Sequence, residues 1–308
     1  MVKSSNHVLV IGTASIDVKA LPHVNVQTGT STPGSIKISI GGVARNIAEN
    51  LGRLGQPVVL LSAVGDDLFG RRICDVTAAA GVDTHHVHIV PAAHSGAYVA
   101  LLDQDGRPRV SVDDMDVMSN LTPKVIQQHR KLFKGAAMVV LDGNISPRTI
   151  RSVFNLAQKA RLPVCVDPTS ATLAPRFLPY LKNIAIMTPN AAEAEVYCGE
   201  PVGRRRDAIR AARCLVSMGV QTAIITLGAD GLAYATTSES GWVPALKVEV
   251  VDLTGAGDAL TAGVVFGLLN DVPLSEAVRL GVSAAALTLQ TRETVYPEMS
   301  LDLLYSGW

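Results

Sequence analysis

Short apolar runs alternate with helical stripes along most of this chain, and that alternation constrains the fold more than any other feature. Val8–Ile11 reads as a strand. Val43–Leu54 then places Ala44, Ile47, Ala48, Leu51 and Leu54 on one helical face, and Gly55 ends it. Val58–Ala63 is the next strand, and Phe69–Ala80 the next helix, closed by Gly81. Further strands fall at Ala137–Leu141, Val164–Asp167, Ile184–Met187 and Ala223–Leu227, with helices at Pro147–Lys159, Ala191–Cys198 and Arg206–Met218. Strands that are apolar throughout and separated by helices run parallel in a sheet covered on both faces. The expectation is an α/β protein with a doubly wound, mostly parallel sheet.

Two stretches break the rhythm. Ser15–Ile40 has short β-prone pieces and no helical stripe. Gly96–Val112 reads as a hairpin, GAYVALLD and PRVSV around the turn QDG. Neither fits a strand–helix–strand unit. They predict a small antiparallel β-lid inserted twice, at about residues 13–41 and 95–113 of a single domain spanning 1–308.

Composition closes off other classes. At 308 residues, 48% hydrophobic and 18% charged, the chain is neither disordered nor collagen-like. Lys+Arg and Asp+Glu are 27 each, so the basic excess of a general nucleic-acid or membrane-surface binder is missing. The apolar stretch Ala259–Leu269 is too short to span a bilayer, which takes ~18 apolar residues. The start, MVKSSNHVLVIG, predicts no signal peptide. Cys74, Cys165, Cys198 and Cys214 form no CxxC pair and read as reduced, buried thiols of a cytosolic protein. His86 and His88 read as alternating along a strand with no carboxylate at ligand spacing, which argues against a metal site. Arg204–Arg206 reads as a solvated helix start. The chain has no GxxxxGK[ST] loop, no GxGxxG after its first strand and no GxSxG.

The sharpest local feature is Asp252-Leu253-Thr254-Gly255-Ala256-Gly257-Asp258, after the β-like run LKVEVV and before an apolar helix. A glycine-rich loop feeding a helix N-terminus presents backbone N–H groups and the positive end of the helix dipole to an anion. Asp258 then has two readings. It caps the helix, or it is a general base that takes a hydroxyl proton while the loop holds a phosphoryl group.

DLTGAGDALTAG resembles the C-terminal signature of the ribokinase-like (PfkB) carbohydrate kinase family. Gly41-Gly42-Val43-Ala44-Arg45-Asn46 is similar to that family's GG…N element, and GTASID (Gly12–Asp17) to its opening strand and substrate aspartate. TPNAAE (Thr188–Glu193) resembles its TPNxxE motif, and TLGADG (Thr226–Gly231) its nucleotide loop. The five elements come in family order. The resemblance implies a ribokinase-like fold whose lid is often shared in a dimer, and transfer of the ATP γ-phosphate to a hydroxymethyl group. It implies Asp258 as base, with Gly255, Ala256 and Gly257 forming the anion hole. Asp17 would bind the ribose 2′- and 3′-hydroxyls, Gly42 would let the sugar approach, and Asn46 would supply an amide. Asn190, Thr226, Gly228 and Gly231 would flank the nucleotide and its phosphates, and Glu193 would reach Mg²⁺ through water. Asp252 and Thr254 occupy positions that in many members help hold a monovalent cation, here a candidate K⁺ site. Asn190 also reads as a helix cap, since Asn-x-x-Glu is close to a capping box.

The acceptor needs finer marks. GGVARNIAENL, Asp114-Met115-Asp116 and Ser283 at the start of SAAALT resemble pseudouridine kinases more than ribokinases or fructokinases. Ser283 stands where ribokinases have Asn at the adenine pocket, which leaves that nucleotide contact open. Lys37, Asp114 and Asp116 are candidates to read a pyrimidine ring, against the reading of exposed charges. Asn144 follows a core strand at the ligand-binding edge and is a candidate sugar or base contact. The expected partners are a nucleoside or sugar and ATP, with a second copy through the lid and no nucleic acid or membrane.

Overall fold

The computed structural model describes residues 7–307 except 105 and 107. Two expectations thus lie partly outside the described residues: the absence of a signal peptide, which rests on residues 1–6, and the lid turn at Asp105.

β1 (His7–Ile11) is buried along its whole length. The chain then leaves the core as β2 (Ser15–Pro22) and β3 (Gly34–Gly41). It returns through α1 (Val43–Arg53), β4 (Val58–Leu61), β5 (Ala63–Gly65), α2 (Leu68–Ala79), β6 (Val82–Asp83) and β7 (His88–Val90). A second excursion forms β8 (Gly96–Leu102) and β9 (Pro108–Asp114). Next come α3 (Pro123–Gln128), α4 (Arg130–Gly135), β10 (Ala136–Asp142), α5 (Pro147–Ala160), β11 (Val164–Asp167), β12 (Ile186–Met187), α6 (Ala191–Cys198) and α7 (Arg205–Ser217). The chain closes with β13 (Thr222–Thr226), β14 (Leu232–Ala235), β15 (Ser240–Val243), α8 (Ala256–Leu269), α9 (Leu274–Leu289) and α10 (Leu301–Ser306).

Nine strands form the main sheet in the order β15-β14-β13-β12-β11-β10-β1-β4-β6. From β6 to β13 all pairs are parallel, and β14 and β15 add an antiparallel edge. Alternate residues of β1 feed two cores. Leu9 and Ile11 pack with residues of α5, α6 and α7, whereas Val8 and Val10 pack with α1, α8 and α9. A sheet covered on both faces is what its apolar strands require. The strand order reverses at β1, between β4 and β10, and ligands bind doubly wound sheets at the carboxyl ends of such strands.

The lid is a separate four-stranded sheet, β3-β2-β8-β9. It departs from the expected antiparallel pattern, because β2 and β8 pair in parallel between two antiparallel hairpins. Both excursions leave the carboxyl ends of parallel strands, β1 and the small β5–β7 pair, so their first strands point the same way. The register puts Asp17, Lys19, Lys37 and Ser39 on one face and Val18, Ile36, Ile38, Val99, Val110 and Val112 on the other.

Other expectations are corrected. LKVEVV is not a strand: β15 is the sheet's edge, and the backbone N–H groups of Val251 and Asp252 donate instead to Leu289 O at the end of α9. Of His85, His86 and His88, only His88 lies in a strand. His85 and His86 sit in a turn because Asp83 captures the His85 amide, and its carboxylate faces both rings at 2.8 and 4.0 Å. Even so, no group of three metal-ligating side chains exists among the described residues. Only Cys165 is buried; Cys74, Cys198 and Cys214 are half-buried, and all four are free. Arg204–Arg206 is exposed at the start of α7. Among the described residues no helix is long and apolar enough to cross a membrane.

Candidate active site

The site is built at the carboxyl ends of β1, β10 and β11, where the lid meets the N-terminus of α8. Gly255 is the N-cap residue of α8, with φ 83° and no side-chain cap. Its α-carbon faces the Thr294 carbonyl so closely that a Cβ would collide with it. Only glycine satisfies both conditions. The N–H groups of Ala256, Gly257 and Asp258 fall in the first turn, where no intrahelical acceptor exists. Among the described residues, nothing outside its own helix lies within 4 Å of where a Cβ on Gly257 would stand. Asp258 is the third helical residue, and its carboxylate accepts from Asn46 Nδ2 of α1 at 2.6 Å rather than from its own helix. The capping reading of Asp258 is therefore replaced by a contact between two distant motifs. Burial raises its pKa to about 7, with Asp17 and Asp142 adding to the rise and Asn46 and Arg45 opposing it.

Asp17 enters on β2 with its carboxylate over Gly41, where any Cβ would overlap it. Burial lifts its pKa to about 6, against the pull of Lys19 and Arg45. Arg45 is buried and donates to Glu49 (2.9 Å), Ile40 O (3.1 Å) and Thr294 Oγ1 (3.2 Å). Gly42 is the N-cap of α1 at φ 95°, again without a side-chain cap. Asp142 supplies the missing acceptor: it takes the N–H groups of Thr13 (2.6 Å), Ala44 (3.2 Å) and Asn144 (2.9 Å). Asn144 thus stands at the same sheet edge, half-buried. Thr13 Oγ1, Ser15 Oγ and Asn46 Oδ1 are buried and without a partner among the described residues. These atoms keep unused hydrogen-bonding capacity at the sheet edge where ligands bind doubly wound folds.

At the nucleotide motifs the local geometry is tight. Asn190 and Glu193 form a capping box at α6, with Glu193 N–H on Asn190 Oδ1 (3.0 Å) and Asn190 N–H on Glu193 Oε2 (2.9 Å). Asn190 also bridges to Thr226 at the carboxyl end of β13. Gly228 opens a 3-10 turn with free space at its α-carbon. Gly231, at φ 106°, packs against the backbone at Val243 and Ala245, so this glycine is required by chain crossing. Asp167, at the end of β11, is pushed well above the usual carboxylate range by burial and by the fields of Asp258 and Glu193. Glu193 is raised too, by burial.

Four expected contacts fall elsewhere. Ser283 is buried beside Gly307 and Leu246, where α10 folds over that part of α9, and its Oγ has no partner among the described residues. Asp114 pairs with Ala97, which places it with Ile16 on the lid face opposite Asp17; Asp113 is the residue in Asp17's row. Lys37 does share Asp17's face, but its ammonium is 3.4 Å from Glu293 of the C-terminal segment. Asp252 and Thr254 are bound by a protein cation, Lys19, at 2.5–2.7 Å. Asp142, Asp167, Lys19 and Arg45 were not singled out from the sequence. The two aspartates were findable, since each ends an apolar strand at the edge where Asn144 was sought. Lys19 needed the lid register, and Arg45 needed the fold of the C-terminal segment.

The family model for the pfkB family carbohydrate kinase matches residues 5–300. Pseudouridine kinase of Escherichia coli K12 is 34% identical over 97% of this chain and 95% of its own length. Guanosine-inosine kinase of Exiguobacterium acetylicum is 28% identical over 97% of this chain and 99% of its own. A carbohydrate kinase from Agrobacterium tumefaciens superposes with a TM-score of 0.83 at 26% identity, covering 98% of this chain and 96% of that one. The chain belongs to the pfkB family of carbohydrate kinases, and the ribokinase-like fold expected from its motifs is the fold it has.

Proposed function

We propose that this protein transfers the γ-phosphoryl group of ATP to the 5′-hydroxyl of a nucleoside, with pseudouridine as acceptor. One observation carries the transfer reading. Asp258 is a buried carboxylate with a pKa of about 7, placed at the open N-terminus of α8 and held by Asn46. A base poised near neutrality accepts a hydroxyl proton efficiently. As the hydroxyl oxygen attacks the γ-phosphorus, Asp258 takes its proton, the bond from that phosphorus to the β,γ-bridging oxygen breaks to release ADP, and the N–H groups of the first turn of α8 stabilise the charge that develops on the phosphoryl oxygens. Asp17 suits the ribose 2′- and 3′-hydroxyls, because a carboxylate only accepts and both hydroxyls donate. Burial raises the carboxylates Asp167, Glu193 and Asp258, and the fields of Asp258 and Glu193 raise Asp167 further. Both oxygens of Glu193 already accept from Asn190, so Glu193 would reach Mg²⁺ only through water; bound there beside ATP, the ion would neutralise phosphate charge.

The nucleoside choice rests on the similarity to pseudouridine kinase over nearly the whole chain. It no longer rests on Lys37 or Asp114 reading the base. The exposed apolar face of the lid supports a homodimer through the lid sheets. The acceptor panel is the direct test: ADP release and product identity with pseudouridine, uridine, guanosine, ribose and fructose. The expected result is the highest kcat/KM for pseudouridine, giving the 5′-phosphate. A site that hydrogen-bonds a base can reject a bare sugar by ~10⁴-fold. Equal or higher kcat/KM for ribose, fructose or guanosine overturns the acceptor, and no ADP release with any of them overturns the transfer.

A further inference from the structure

Lys19 stands on β2, two residues beyond Asp17 and on the same face of the lid. Its ammonium donates to both carboxylate oxygens of Asp252, at 2.7 and 2.6 Å, and to Thr254 Oγ1 at 2.5 Å. An ammonium has three donors, so these contacts use all of them. The Asp252 carboxylate also receives the Thr254 N–H at 2.9 Å. Both side chains are largely withdrawn from water, with 11% of Lys19 and 19% of Asp252 exposed. The neighbouring lid lysine, Lys37, lies directly across from Lys19 but is engaged by Glu293.

Asp252 and Thr254 are the side chains that the sequence motif offers to a monovalent cation. They do not fit one here. One carboxylate is already neutralised by one ammonium at contact distance, and a potassium ion among the same oxygens would face that ammonium as a like charge in a site with little water to screen it. Asp252 begins the loop that runs through Thr254 into Gly255, so whatever holds Asp252 sets the entry to the first turn of α8. The group that holds it arrives on the strand that carries Asp17.

We propose that Lys19 takes the place of a potassium ion at this loop: its ammonium holds Asp252 and Thr254 in position and makes loop order and turnover independent of monovalent metal ions. Lys19 is thus a positioning residue. The statement about turnover rests on the kinase reading above, whereas the statement about the loop does not.

The test exchanges potassium chloride for tetramethylammonium chloride at constant ionic strength, with thermal melting and kinetics as two separate readouts. For the unaltered protein, neither the melting midpoint nor kcat and KM should depend on which salt is present. Lys19→Ala in tetramethylammonium should lower kcat by about 10²-fold, the scale expected when reacting groups are held slightly out of place. Potassium should then restore kcat saturably and raise the midpoint of that variant by about 2–4 °C, as a ligand binding only the folded state does. A saturable potassium effect on the unaltered protein overturns the proposal. So does a Lys19→Ala variant that keeps full activity without potassium, or one whose loss potassium does not repair. If Lys19→Ala does not fold, the potassium series on the unaltered protein decides the matter. If no acceptor is turned over, the melting series still reads the cation.

Discussion

At the scale of single residues, the site is two buried carboxylates held far from their ordinary value. Asp17 and Asp258 rise from 3.8 to about 6 and about 7, in each case first because burial penalises the charge. The folded protein therefore binds these protons more tightly than the unfolded chain. The stability they contribute is complete below about pH 4 and is lost as pH climbs through 6 to 7. Asp258→Asn removes the buried charge, so it should melt higher than the unaltered protein at pH 8, with the difference closing toward pH 4. Its turnover should drop by ~10²–10⁴-fold, the usual cost of losing a general base. Melting curves across pH, with kcat beside them, check both halves. In the unaltered protein kcat/KM should rise with pH and level off above about pH 7. Asn46→Ala removes the one hydrogen bond that lowers the Asp258 pKa and should move that rise to higher pH. Activity in Asp258→Asn equal to the unaltered protein would remove Asp258 from the chemistry.

At the scale of one element, the start of α8 separates structural from chemical demands. Gly255 has a left-handed backbone and no room for a side chain, whereas Gly257 is helical with open space beside it. Gly255→Ala should destabilise the protein by about 1–3 kcal/mol, from strain at positive φ and the clash with the Thr294 carbonyl. It should lose activity as well. Gly257→Ala should keep or raise stability by about 0.4–1 kcal/mol, since alanine is the better helix former. Its activity should nonetheless fall, because the added methyl group stands where the anion approaches. Denaturant melts paired with kcat of the two variants separate the cases. A fully active Gly257→Ala would show that the phosphoryl group does not pass over this turn.

At the scale of the whole molecule, the lid decides how the site is enclosed. One face carries Asp17, Lys19 and Lys37, and it is tied to the rest of the protein by Lys19 to Asp252, Lys37 to Glu293, and Thr294 Oγ1 to Ile40 O. The other face exposes Ile36, Ile38, Val99, Val110 and Val112 across three strands. A patch of that kind on a twisted sheet is costly to leave in water and complementary to a second copy of itself. Sedimentation should give the mass of two chains, and Ile38→Glu should give one chain, with the fold retained because Ile38 is already exposed. A single-chain mass for the unaltered protein would overturn the lid dimer.

The sheet and its helices were legible because each is a local pattern. The helix Ala191–Cys198 and the strand Val164–Asp167 carry the boundaries their apolar periods indicate, and α1 and α5 differ from expectation by one residue. The Gly-rich loop was legible for a similar reason, since glycine and aspartate at the head of a helix have few meanings. What stayed hidden depended on register and on chain crossings, which no local pattern encodes. The parallel β2–β8 pairing turned Asp114 away from Asp17's face, and the packing of α10 over α9 buried Ser283. Asn46 and Asp258 lie 212 residues apart, and Lys19 and Asp252 lie 233 apart. By itself, the sequence determined which elements form and which side chains are capable of the chemistry. Only the tertiary structure decided which of those side chains meet, because contacts between distant residues are set by how helices and sheets pack, and there a charge finds either a partner or a ligand.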